Sequence, residues 1–128
     1  MPAKPWVQFN RPDPNREYLV LLGELQLKRW RDLGALLFYT WRIQGQLRGA
    51  SGLLGYSMLA RLLQKQFWTL SVWEGEGTLH QFVVENPHGE VMKALRAKMD
   101  QPRFVRWNIR GSEIPPGWQV ALAKRNAV

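Results

Sequence analysis

Residues Phe67–Met99 read FWTLSVWEGEGTLHQFVVENPHGEVMKALRAKM. Phe67–Glu74 is rich in aromatic and alternating residues and predicts a strand. Gly75, Glu76 and Gly77 break it. Thr78, with Gln81 three residues later, fits a capping box, so a short helix is expected with Leu79, Phe82 and Val83 on its apolar side. Asn86 suits an N-cap and Pro87 the first helical position. A second helix is therefore expected, with His88, Val91, Met92, Leu95 and Met99 along one stripe. A strand feeding helices in this way is half of a βαβ unit.

The rest of the chain extends the pattern. Leu53–Arg61 predicts another strand, and Leu62–Gln66 is too short for a crossover, so the two strands form an antiparallel hairpin. Trp30–Arg48 predicts the longest helix, with Leu33, Leu37, Trp41 and Gln44 on one face. Leu36, Phe38, Tyr39 and Ile43 widen its apolar surface, and Gly34 and Gly45 are expected to let a neighbouring backbone approach. Tyr18–Leu27 is a short apolar run and reads as a buried strand. Residues 1–17 contain four prolines and read as an extended arm pinned by Trp6, Val7 and Phe9. Phe104–Arg110 alternates strictly and gives a fourth strand. Pro115-Pro116 opens a last short helix with Trp118, Ala121 and Leu122 facing inward.

The order β, α, β, β, α, β is the split-βαβ, ferredoxin-like order. The expected fold is α+β: a four-stranded antiparallel sheet with helices on one face. The chain reads as a single domain, 1–128, with the arm at 1–17, the core at 18–111 and the C-terminal helix at 112–128. Large aromatics fall on both faces of the Phe67–Glu74 strand. That second apolar face points to a partner subunit, most simply in a symmetric homodimer. Trp6, Trp30, Trp41, Trp107 and Trp118 read as core and packing residues.

At 128 residues with 45% hydrophobic content, the chain can bury one real core. Mean hydropathy is −0.34, and no apolar run reaches the ~18 residues of a membrane span. No secretory leader is read at the N-terminus, so the expected location is cytoplasmic. There is no cysteine, which excludes disulfides and thiolate metal sites. A net charge of +8 and a pI of about 10.5 invite a nucleic-acid reading. The basic residues are scattered, however, and only Lys28, Arg29 and Arg31 cluster, so nucleic acid is set aside as a partner; with no span-length apolar run, no membrane is expected either.

The strings GLLGYSMLAR (52–61) and FWTLSVWE (67–74), followed by a helix and PHGEVM (87–92), resemble the dimeric α+β barrel superfamily. Within it the chain is similar to the antibiotic-biosynthesis-monooxygenase group and uncharacterised bacterial relatives, over about residues 18–111. The resemblance implies two ferredoxin-like sheets meeting face to face, with a small-molecule pocket between each sheet and its own helices or within the barrel. It also implies one of three roles: cofactor-free oxygenation of an aromatic or polycyclic substrate, haem degradation or binding, or a protein of the kind in this superfamily that has no known activity. Haem-degrading members carry a tryptophan in the helix after this strand and an iron-binding histidine ten residues later. Those positions here hold Phe82 and Met92.

The residues themselves nominate His88 as a base, donor or ligand at a helix start, against its reading as a capped core histidine. Trp73 joins it as a catalytic candidate by a loose parallel with the quinol-oxidising monooxygenases. Tyr56, Thr69, Ser71, Arg106 and Asn108 are the polar or amphipathic residues of the inner strands and could line a ligand pocket, with Arg106 suited to a carboxylate. The same residues would also suit a plain interface. His80 reads as solvent-exposed, and no metal-ligand spacing is present. The expectations are thus a cofactor-free monooxygenase-like enzyme, a non-catalytic ligand-binding or structural homodimer, or a haem protein through His88.

Overall fold

In the computed structural model, residues 6–84, 93, 96–98 and 103–126 are described. In chain order the strands are β1 (Val7–Gln8), β2 (Glu17–Gln26), β3 (Leu53–Arg61), β4 (Gln66–Trp73) and β5 (Arg103–Arg110). The helices among the described residues are α1 (Leu33–Arg48), α2 (Glu76–Val84) and a C-terminal α3 (Trp118–Asn126). The strands form one antiparallel sheet in the order β1-β3-β4-β2-β5. Without β1 this is the ferredoxin-like arrangement expected from the sequence.

The sheet has five strands rather than four. Val7 and Gln8, placed in the extended arm, pair with Tyr56 and Gly55. Gly55 makes this possible. A Cβ there would lie 2.6 Å from both the Trp6 ring and the Val7 carbonyl, so only glycine lets the arm lie against β3.

Strand alternation sends side chains to two apolar faces. On one face Leu19, Leu53, Tyr56 and Trp73 pack with Leu47 of α1 and with Leu79 and Phe82 of α2. Leu36 of α1 packs with Leu27 beside them. On the other face Tyr18, Val20, Leu22, Leu54, Leu59, Trp68, Leu70 and Val72 meet Ala121 of α3, with Trp6, Trp118 and Leu122 alongside. Burying each such large apolar side chain is worth about 1.5–3 kcal/mol. The inward set expected for the last helix is therefore correct, and aromatics do occupy both faces of β4. The second face is covered by the chain's own C-terminal helix, so its apolar character does not by itself require a partner.

Polar contacts tie the helices to one another and to the sheet. Gln46 Nε2 of α1 donates to the Phe82 carbonyl of α2 at 3.0 Å. Trp118 Nε1 donates to Ser57 Oγ at 3.2 Å. Arg125 pairs with the buried Glu24 of β2, with Nη2 2.9 Å from Oε1.

Three expectations require correction. First, α2 starts at Glu76, two residues before the expected cap. Thr78 Oγ1 donates back to the Gly75 carbonyl at 3.0 Å instead of capping from outside. Second, the buried face of α1 carries Leu36 and Leu47, with Leu33 and Ile43 partly buried, whereas Leu37 and Trp41 are exposed. Trp30 and Trp41 are accordingly not core residues. Third, among the described residues nothing lies within 4 Å of where a Gly34 Cβ would be, and only the Arg48 side chain lies that near at Gly45, so neither glycine receives a neighbouring backbone from them. The helix expected to start at Asn86 lies largely outside the described residues. Of its span, Arg96–Lys98 forms a 3-10 turn, and the Lys98 carbonyl accepts from Lys28 N at 2.9 Å.

Candidate functional site

The strand register builds the site. It lays three rows across the helix-bearing face: Phe104–Gly23–Thr69–Met58, Arg106–Leu21–Ser71–Tyr56 and Asn108–Leu19–Trp73–Leu53. α1 and α2 pack on this face and leave a cleft of about 340 Å³. Its floor is Leu21, Gly23 and Leu25 of β2, Met58 of β3 and Thr69, Ser71 and Trp73 of β4. Leu36, Thr40, Ile43 and Leu47 of α1 form one wall, and Leu79, Phe82 and Val83 of α2 the other. Phe104, Arg106, Glu76 and His80 also line it. This volume lies within the usual range for small-molecule sites, and the lining is mostly apolar with a few polar groups, as such sites are.

Trp73 is only 1% exposed, and its ring sits 5.2 Å from that of Phe82. Its Nε1 donates to Ser71 Oγ at 2.8 Å, so the indole N–H is already engaged. The serine hydroxyl accepts that bond and can still donate its own proton. On the outer side, Arg106 Nη1 contacts both Glu76 oxygens, at 2.8 and 2.7 Å. Both partners are more than half exposed, and exposed pairs contribute only about 0–1 kcal/mol. A ligand carboxylate could therefore compete with Glu76 for the guanidinium.

Of the residues nominated from the sequence, the cleft gathers Thr69, Ser71, Trp73 and Arg106. Tyr56 shares the Ser71 row but is buried beneath the N-terminal arm. Phe9 stacks on it at 5.9 Å, and its hydroxyl donates to Gln44 Oε1 at 3.3 Å. Asn108 lines not the cleft but an adjoining depression with Glu17, Glu74 and Trp107, which shares Glu76 and Arg106 with the cleft. His88 falls outside the described residues. Among those described, no group of three or more His, Asp or Glu is placed to hold a metal, and no helix is long and apolar enough to cross a membrane.

The sequence reading missed His80. It is exposed as expected, yet it lines the cleft one helical turn after Glu76. The i, i+4 spacing of Glu76 and His80 was the available signal. It was hidden because the helix was expected to begin at Thr78, which left Glu76 in the preceding turn.

This fold and cleft define a class of ferredoxin-like α+β protein with a ligand-sized apolar site between sheet and helices. No family model matches the chain, and no curated protein matches it. Solved structures do. An antibiotic biosynthesis monooxygenase superposes with a TM-score of 0.64 at 12% identity, covering 70% of this chain and 95% of that one. SnoaB of Streptomyces nogalater, a cofactor-independent oxygenase solved as a point mutant, superposes with a TM-score of 0.59 at 12% identity, over 78% and 98% of the two chains. A conserved protein from Methanosarcina mazei gives 0.61 at 16% identity, over 73% and 91%. The fold is therefore that of the antibiotic-biosynthesis-monooxygenase-like proteins, and at these identities the likeness establishes fold alone.

Proposed function

We propose that the cleft binds a small, flat, largely apolar molecule and that the chain oxygenates it without a bound cofactor. The observation that carries this reading is the cleft itself, with Trp73, Phe82 and Phe104 in its lining and, among the described residues, polar groups at Thr40, Thr69, Ser71, His80 and the Arg106–Glu76 pair. Aromatic walls suit a planar ring system, and the polar groups suit a hydroxyl or carboxylate at its end. The fold shared with SnoaB, named a cofactor-independent oxygenase, supports the reaction class.

In such a reaction one oxygen atom of dioxygen enters the substrate and the other leaves as water with two substrate hydrogens. The substrate supplies every electron. The protein's part is to hold the ring and accept a proton from it. His80 at the rim is placed to take that proton, Ser71 to donate to a substrate oxygen, and Trp73 to act as a packed platform. His88, with the role expected from the sequence, would be a second imidazole for the same step.

Purified protein tested against polycyclic hydroquinones in an oxygen electrode should consume dioxygen in proportion to substrate. His80→Gln should lower the rate by about 10²-fold, as loss of a general base does. Saturable binding with no oxygen uptake would instead identify a ligand-binding protein without turnover.

A further inference from the structure

An exposed helix normally keeps its apolar residues on the buried side. α1 does not. Opposite Leu36 and Leu47, its outward face carries Leu37 at 55%, Phe38 at 55% and Trp41 at 66% exposure. The Phe38 and Trp41 rings lie 6.4 Å apart and form one cluster. At 100° per residue, Gly34, Leu37, Phe38, Trp41, Gly45 and Arg48 occupy a single face. The two glycines add no side chain beside the three large ones, which therefore stand proud of the surface. Arg48 is exposed, and its guanidinium lies 3.7 Å from where a Gly45 Cβ would be. Arg31 is exposed just before the helix. The result is a stripe about 21 Å long from Gly34 to Arg48, apolar at its centre and cationic at both ends.

We propose that this face of α1 docks on an anionic lipid surface. A Trp-Phe-Leu ridge flanked by arginine is the composition of a helix lying in a bilayer interface, with rings at headgroup depth and cations on lipid phosphates. The chain's net charge of +8 favours the same partner. A second copy of the chain fits less well, because an isologous contact would set arginine-flanked stripes against each other. Single-stranded nucleic acid fits less well too, because it follows basic grooves and this face is a convex ridge that includes an aliphatic side chain. The contact is interfacial and separate from the cleft on the helix's other side.

The test is co-sedimentation of the full chain with protein-free vesicles of phosphatidylcholine, with and without phosphatidylglycerol. Wild type should bind the phosphatidylglycerol vesicles at least about tenfold more tightly than the neutral ones, and high salt should weaken that binding. Phe38→Ser/Trp41→Ser should lose about tenfold or more, and Arg31→Gln/Arg48→Gln about tenfold, with unchanged far-ultraviolet circular dichroism because these side chains are exposed. Equal binding to both vesicle types, or to neither, would overturn the proposal. So would a poly(dT) oligonucleotide, or self-association, that depends on Phe38 and Trp41 while vesicles do not bind.

Discussion

Ser71 and Trp73 show how much of the site depends on one hydrogen bond. The indole is 1% exposed, and its N–H is held by the serine hydroxyl at 2.8 Å. Removing that acceptor leaves a buried donor without a partner, which costs about 1–3 kcal/mol. Ser71→Ala should therefore lower unfolding free energy by that amount in urea titration. Ser71→Thr keeps the hydroxyl and should recover most of it. Arg106 and Glu76 stand in contrast: their contact is as short, yet both are exposed, so their pairing bears on what a ligand meets more than on stability.

At the scale of elements, α3 decides whether the sheet's second face is closed. It contributes one fully buried residue, Ala121, and it is anchored by Trp118 on Ser57 and by Arg125 on Glu24. Glu24 is 7% exposed, so losing its guanidinium leaves a nearly buried carboxylate with only Arg103, 3.8 Å away, for compensation among the described residues. Arg125→Met should destabilise the chain by about 2 kcal/mol, on the scale of a hydrogen bond to a charged group. Glu24→Gln/Arg125→Met should cost less than Arg125→Met alone, read from the same denaturation curves.

The elements also explain what could be read in advance. β2 is legible as a continuous apolar run, β4 and β5 by alternation, and the short link ties β3 to β4 as a hairpin, each to within a residue or so. α1 was harder. Apolar residues surround it, so periodicity alone could not tell Leu36 and Leu47, which are buried, from Leu37 and Trp41, which are not. Its exposed side is legible only once the sheet is in place.

At the scale of the whole molecule, the short arm and the C-terminal helix reshape a four-stranded core. β1 and Phe9 cover Tyr56 and remove it from the cleft. α3 and Trp6 cover the face that had suggested a second subunit. Both effects come from segments distant in sequence from the residues they bury, which is why composition and spacing did not reveal them. Thr69, Ser71, Trp73 and Arg106 were legible as a set because strands paired in register must bring them to one face. His80 was not, because its place depends on where α2 begins.

We propose the cleft between the sheet and α1 and α2 as the ligand site. It is tested most directly by calorimetric titration of the full chain with 2-naphthol, beside a Thr69→Trp variant whose indole would fill the cleft floor. Wild type should bind one equivalent, and Thr69→Trp should bind at least about tenfold more weakly with a melting temperature close to wild type. Equal affinity in the two proteins, or no binding by wild type, would contradict the claim.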